Sequence, residues 1–196
     1  MSKLKLAVLG STSGTDLEVI NNAINNSEID AEIKIVISNK KDAYILERAK
    51  NYRLKTIFIS NKDENNNKLT REEFDKKIME ILDKYDIDLI LLIGYMRILS
   101  LPFVKKYKNH IMNVHPSLLP AFAGGMDLNV HEEVLKAGVK ITGCTIHFVD
   151  ETVDGGQILV QKECVVESND TADSLKNKVQ KLEGEAFIEA ITNFTK

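Results

Sequence analysis

The sequence predicts an α/β fold, an open and mostly parallel twisted sheet with helices on both faces. Three observations lead there. Short apolar runs alternate with stretches of helical periodicity, the pattern of strands joined by crossover helices. Residues 89–93, Leu-Ile-Leu-Leu-Ile, form the most continuously apolar run, as a central parallel strand covered on both faces requires. A turn containing Gly10 and Gly14 follows the first apolar run, where sheets of this kind place ligands.

The elements follow in order. Residues 4–9 read as a strand, 10–14 as a turn, and from Asp16 onward Leu17, Ile20 and Ile24 recur at helical spacing. Residues 33–37 are nearly all β-branched and predict a second strand; 43–51 return to a helical pattern, and 56–59 predict a third strand. The Asn-rich stretch 61–68 predicts an exposed loop. Thr70 opens a helix through a capping box to Glu73, with Phe74, Ile78, Ile81, Leu82 and Tyr85 as its buried stripe. After the central strand, Ser100-Leu101-Pro102 starts a brief helix, and 111–114 form another buried strand. Two prolines and two glycines mark 115–125 as a long shaped loop, and 132–137 are helical in character. Residues 141–149 alternate, with Cys144, Ile146 and Phe148 on one face and Thr145, His147 and Val149 on the other. A turn-rich loop at 150–156, a strand at 158–165 and a closing helix at 171–195 complete the chain, the last with Leu175, Val179, Leu182, Ala186 and Ala190 on one side.

Composition bounds the function. At 196 residues, 43% hydrophobic and 28% charged, one compact domain over 1–196 is expected. Twenty-six basic against 29 acidic side chains give −3, and no basic run supports a nucleic-acid backbone as partner. Cys144 and Cys164 are read as reduced thiols. No run approaches the roughly eighteen apolar residues of a membrane helix. A cytoplasmic protein, monomer or homodimer, without membrane or nucleic-acid partners is expected.

Three segments could carry chemistry. The turn from Gly10 through Ser13, Gly14, Thr15 and Asp16 offers converging amides at a helix start, which favours an anion; read blandly, it is a tight turn. It matches neither a dinucleotide fingerprint nor a P-loop. Asn113-Val114-His115 ends a strand with two polar side chains on one side. An amide donor and an imidazole are what acyl transfer needs, to hold an oxyanion and to move a proton. The same pair could simply tie the following loop. Asp154, before two glycines, supplies a carboxylate that would orient His115 and favour its charged form, or it is an ordinary Asx turn. His147 either supports this group or is structural, and His110 and His131 are expected at the surface. Four histidines without a His-Glu-x-x-His pair give no reason for a metal. The 94–100 segment, Gly-Tyr-Met-Arg-Ile-Leu-Ser, offers a wall and an anchor for a flat, acid-bearing cofactor, or a piece of core. Arg71 reads as a solvated residue.

These residues together carry a resemblance. Ser38-Asn39-Lys40 with Leu46-Glu47-Arg48-Ala49, the 94–100 segment, Asn113-Val-His-Pro-Ser-Leu-Leu-Pro120, and His147-Phe148-Val149 with Asp154-Gly155-Gly156 match over essentially the whole chain. The chain resembles the phosphoribosylglycinamide formyltransferases, folate-dependent enzymes of purine synthesis. The Asn-x-His motif with a downstream Asp-Gly-Gly belongs to the wider folate formyltransferase and hydrolase group, and the Gly-Tyr-Met-Arg-Ile-Leu element narrows it. The resemblance implies a formyltransferase fold with a Rossmann-like, phosphate-binding half (1–110) and a catalytic, folate-site half (111–196). It implies Asn113, His115 and Asp154 as the catalytic set, and Ser13, Gly14, Thr15 and Asp16 at the substrate phosphate. It further implies Glu183 against the glycinamide, Met96, Arg97, Ile98 and Leu99 facing the folate, and Arg71 at its glutamate tail. The donor implied is 10-formyltetrahydrofolate, with no metal. Two departures accompany the match: relatives carry a histidine after the acid and a proline four positions on, where this chain has Gly184 and Ile188, and the loop 124–131 is longer than in some members. Related activities are a formyltetrahydrofolate hydrolase and formyltransferases acting on aminoacyl-tRNA or sugar-nucleotide amines. A binding module without turnover is the non-enzymatic alternative.

Overall fold

A computed structural model describes residues 3–125 and 128–194. The chain divides into two compact units, Met1–Met112 and Asn113–Lys196. The first contains β1 (Leu4–Gly10), α1 (Thr15–Asn25), β2 (Ala31–Ser38), α2 (Tyr44–Asn51), β3 (Thr56–Phe58), α3 (Arg71–Leu82), β4 (Leu89–Ile93) and α4 (Leu101–Lys106). Strand β5 (Ile111–His115) runs across the boundary, and α5 (Leu128–Ala137), β6 (Ile141–Phe148), β7 (Ile158–Val165) and α6 (Ala172–Phe194) follow. The strand order is β3-β2-β1-β4-β5-β6-β7. In the first unit β1 pairs in parallel with β2 on one side and β4 on the other, and β2 with β3. In the second, β6 and β7 form an antiparallel hairpin. The sheet is therefore mixed, parallel in its first half and antiparallel at its last strand.

The apolar runs end up where their length and branching predict. All five residues of β4 are buried, as a strand between two covered faces must be. The capping box at α3 is formed: Glu73 N–H donates to Thr70 Oγ1, and Thr70 N–H donates to the Glu73 carboxylate, satisfying two amides that a helix start leaves open. Phe74, Ile78 and Leu82 are buried on α3 as predicted, while Ile81 and Tyr85 are only half-buried.

Three expectations change. The alternation in β6 predicts one buried face, but Thr142 to His147 are all buried; Thr145 and His147 find partners inside the protein, whereas Thr142 Oγ1 has no hydrogen-bond partner among the described residues. His131 is buried rather than exposed: it sits in α5 between Val130 and Val134, whose side chains pack with Leu175 of α6. Leu182 is half-buried, whereas Glu183, Gly184 and Phe187 share the buried face of α6. Within the long loop 124–131, Met126 and Asp127 lie outside the described residues, as does Thr195 at the end of the closing helix.

Candidate active site

The second unit gathers four of the singled-out side chains into one cluster. Asn113 and His115 leave β5 on the same side, two residues apart. His147 lies in β6, and Asp154 in the loop joining β6 to β7. Asp154 is the hub: its Oδ2 is 3.3 Å from His115 Nδ1 and its Oδ1 is 3.6 Å from His147 Nε2. Oδ2 also accepts the Gly124 N–H at 2.8 Å.

The hydrogen bonds assign tautomers. His147 Nδ1 is 2.9 Å from the Phe148 carbonyl, which can only accept, so that nitrogen carries a proton. In neutral His147, Nε2 is then an acceptor and takes an N–H from Asn113 Nδ2 at 3.1 Å. This fixes the Asn113 amide with its nitrogen towards His147 and leaves its second N–H for another acceptor. His115 Nε2 donates to the Phe122 carbonyl at 3.0 Å, so its Nδ1 is the nitrogen facing Asp154.

The loop carrying Asp154 is shaped by other groups. The Asx turn belongs to Asp150, whose Oδ1 accepts the Thr152 N–H at 2.8 Å and its hydroxyl at 2.6 Å. That leaves the Asp154 carboxylate for the cluster. A Cβ on Gly156 would overlap the Phe148 carbonyl, the oxygen that takes the His147 proton; the second glycine of Asp-Gly-Gly is a close-approach requirement. Across the cluster, Thr145 Oγ1 donates to Ser117 O and accepts from Leu119 N–H and Gln161 Nε2. This network braces the 115–125 loop from below, and its members carried no signal in the sequence beyond a polar residue in a strand.

Asp154 favours the charged form of His115 as expected, but a second effect opposes it. Burial lowers the His115 imidazole below its usual value, outweighing the raising effects of Asp154 and the Phe122 carbonyl. Asp154 therefore does not hold His115 charged in the free protein. Burial also pushes the Asp154 carboxyl up, but a hydrogen bond from His147 in the form that carries a proton on Nε2, the Gly124 N–H and the neighbouring imidazoles together hold it below the usual carboxylate range. Both shifts make acid destabilising. A histidine whose folded pKa lies below its unfolded value near 6.5 leaves stability intact above that pH and erodes it below, where the unfolded chain holds the extra proton. Asp154 contributes above its unfolded value of 3.8 and loses that contribution as pH falls through its lower folded value. The melting midpoint should drop between about pH 7.5 and about pH 5.5, and the His115→Gln protein should show a flatter slope. Equal slopes in the two proteins would contradict the burial argument.

The first unit holds the other sequence-predicted residues except Glu183. Gly14 has φ 68°, and a Cβ there would overlap Ile45; its carbonyl accepts Leu17 N–H at the start of α1. Ser13 is exposed, and its carbonyl accepts Arg48 Nε–H at 3.1 Å. Thr15 is half-buried and Asp16 buried. Burial pushes the Asp16 carboxyl up to about 7, so the group is partly neutral where an anion is expected. Ser11, which sequence reasoning missed, links this turn to the segment after β4: its hydroxyl donates to Asn39 Oδ1 at 2.5 Å and accepts Met96 N–H at 3.0 Å. Met96 and Arg97 are half-buried, Ile98 is 57% exposed and Leu99 is buried. Arg71 is exposed at the first position of α3. Glu183 is buried on α6 of the second unit.

Among the described residues no helix is long and apolar enough to cross a membrane, and no group of three or more His, Cys, Asp or Glu stands where it could hold a metal ion.

Comparison with known proteins places this arrangement. The chain is 43% identical over 190 residues to the trifunctional purine biosynthetic protein adenosine-3 of Gallus gallus, covering 97% of this chain but only 18% of that protein's length. It is 38% identical over 191 residues to a phosphoribosylglycinamide formyltransferase of Haemophilus influenzae, covering 97% of this chain and 87% of that one. Among solved structures, glycinamide ribonucleotide transformylase 1 from Symbiobacterium toebii superposes with a TM-score of 0.89 at 36% identity, over 97% of this chain and 86% of that one. Residues 4–191 match the formyl transferase family, and the chain belongs to that family.

Proposed function

We propose that this enzyme transfers the formyl group of 10-formyltetrahydrofolate to the amine of 5-phosphoribosylglycinamide, as a single formyltransferase domain built from its two units and working in the cytoplasm. The observation that carries the reading is the cluster in which Asp154 lies between His115 and His147 while Asn113 donates to His147. The acceptor and the transferred group are those after which relatives matching this chain nearly end to end are named, and the folate donor follows from the resemblance of the 94–100 segment.

In this reading the substrate amine attacks the formyl carbon and the carbonyl oxygen becomes an oxyanion. The free N–H of Asn113 donates to it, and so does His115 once Nε2–H turns from the Phe122 carbonyl. As the attacking nitrogen becomes cationic it gives its proton through Asp154 to His115 Nδ1, and the carboxylate then faces an imidazolium. When the oxyanion collapses the same proton returns by way of Asp154 to the folate nitrogen, and that C–N bond breaks. The 10–16 turn takes the phosphate, with Ser13, Gly14, Thr15 and Asp16 around it, and Glu183 contacts the glycinamide. Met96, Arg97, Ile98 and Leu99 line the folate site, with Arg71 at its acidic tail, and no metal takes part.

The test is formyl transfer with both substrates, followed through tetrahydrofolate release and the N-formyl product. Stoichiometric product is expected. Formate released at the same rate without acceptor would identify a hydrolase instead, and transfer only to a sugar-nucleotide amine would reassign the acceptor.

A further inference from the structure

The first unit holds a buried carboxylate that the proposed reaction does not use. Asp75 is 1% exposed and lies on α3 one helical turn beyond Arg71. Its Oδ2 accepts the backbone N–H of Ser100 at 2.5 Å. The neighbouring residue on α3, Phe74, carries the Arg97 guanidinium over its ring at 4.0 Å. Helix α3 thus grips residues 97–100 at both ends. The two residues between the grips, Ile98 and Leu99, belong to the stretch assigned to the folate.

Stability alone does not explain this carboxylate. Its second oxygen, Oδ1, is buried without a hydrogen-bond partner, and so is Nε of Arg97. Burial pushes the Asp75 carboxyl up, and the Ser100 contact with the charges of Arg97 and Arg71 only partly offsets it. A fold gains more from a well-packed apolar side chain at such a position than from a half-satisfied ion. What Asp75 does supply is a directed, charge-assisted hydrogen bond that fixes one backbone amide.

We propose that Asp75 is a positioning residue for the reduced folate, clamping residues 97–100 onto α3 so that Arg97 and its neighbours are held in place to receive the donor. The proposal rests on the folate assignment above. It touches neither the reacting atoms nor the acceptor, so its signature is selective. Losing a hydrogen bond to a charged group corresponds to about tenfold in affinity.

The full chain, wild type and variants, would be assayed for kcat and for separate KM values of 10-formyltetrahydrofolate and phosphoribosylglycinamide. Tetrahydrofolate binding would be measured by calorimetry. In Asp75→Ala the donor KM and the tetrahydrofolate Kd should rise about tenfold. Its kcat at saturating donor and its acceptor KM should stay within about twofold. Asp75→Asn keeps an oxygen for the Ser100 N–H and should return the donor KM to within about threefold of wild type. Asp75→Leu fills the space with apolar volume and should repeat the selective donor defect, which keeps the test alive if the alanine protein does not fold. A donor KM unchanged in a folded Asp75→Ala or Asp75→Leu protein, beside an active wild type, overturns the proposal alone. So does a fall in kcat with a rise in both KM values, or an Asn variant no better than Ala. A wild type that neither binds tetrahydrofolate nor transfers formyl overturns the folate reading and this proposal together.

Discussion

Asp154→Asn should lower kcat by a factor of roughly 10² to 10⁴ while leaving the protein folded. Asparagine has the shape of aspartate and keeps an oxygen for the Gly124 N–H, which aspartate accepts at 2.8 Å, so the contact between the two loops survives. What disappears is the negative charge 3.3 Å from His115 Nδ1 and 3.6 Å from His147 Nε2. His115 is neutral-leaning at rest because burial lowers it, and it must gain charge as the oxyanion forms. Without the carboxylate that imidazolium loses its anionic neighbour, and the outgoing proton loses its acceptor. Single-turnover formyl transfer with pre-bound substrates isolates this step from binding and product release. A rate within about fivefold of wild type would remove Asp154 from the chemistry.

Asn113→Ala should cost roughly 10² to 10³ in kcat, the usual effect of deleting one oxyanion donor. The hydrogen bonds sharpen that expectation. One Asn113 N–H is engaged by His147 Nε2 at 3.1 Å, so the amide is oriented before substrate arrives and pays no rotamer entropy in the transition state. Alanine removes the donor and also leaves His147 Nε2 without its hydrogen. His147→Gln separates the two losses: it frees the Asn113 amide to rotate but keeps the donor, and should cost distinctly less. The comparison is kcat at saturating substrates for both variants. Equal losses would place the effect in His147 rather than in the Asn113 N–H.

Much of this arrangement is legible in the residues, for physical reasons. Local signals survive translation into structure: the Thr70–Glu73 capping box involves partners three residues apart, and the β4 run can hardly be anything except a covered strand. The Asn-x-His spacing fixes a shared side by the period of the strand, and Asp154 could be nominated because its two glycines signalled a shaped loop. Ser11 and Asp75 were illegible. Ser11 meets Met96 across 85 residues, and Asp75 meets Ser100 across 25. Among Glu72, Glu73, Lys76 and Lys77, Asp75 reads as one more residue of a solvated face. The burial that outweighs Asp154 at His115 is illegible for a related reason: a sequence names the carboxylate beside an imidazole but not the depth at which both are buried.

The pairing of β6 with β7 shifts register between Ile146 and His147, where the partner steps from Val160 to Ile158. One residue more on β7 than on β6 lies in that interval, and a strand one residue out of step turns its side chains to the opposite face. The extra residue leaves Ile158 rather than Leu159 opposite His147, so a count of residues, not their identity, sets where β7 meets the loop that carries Asp154. Natural variation in this hairpin can exchange the exposed side chains of Glu163 and Val165, but a single insertion or deletion beside Leu159 would shift the loop that carries Asp154 by one residue against His147 while sparing the remaining ladder.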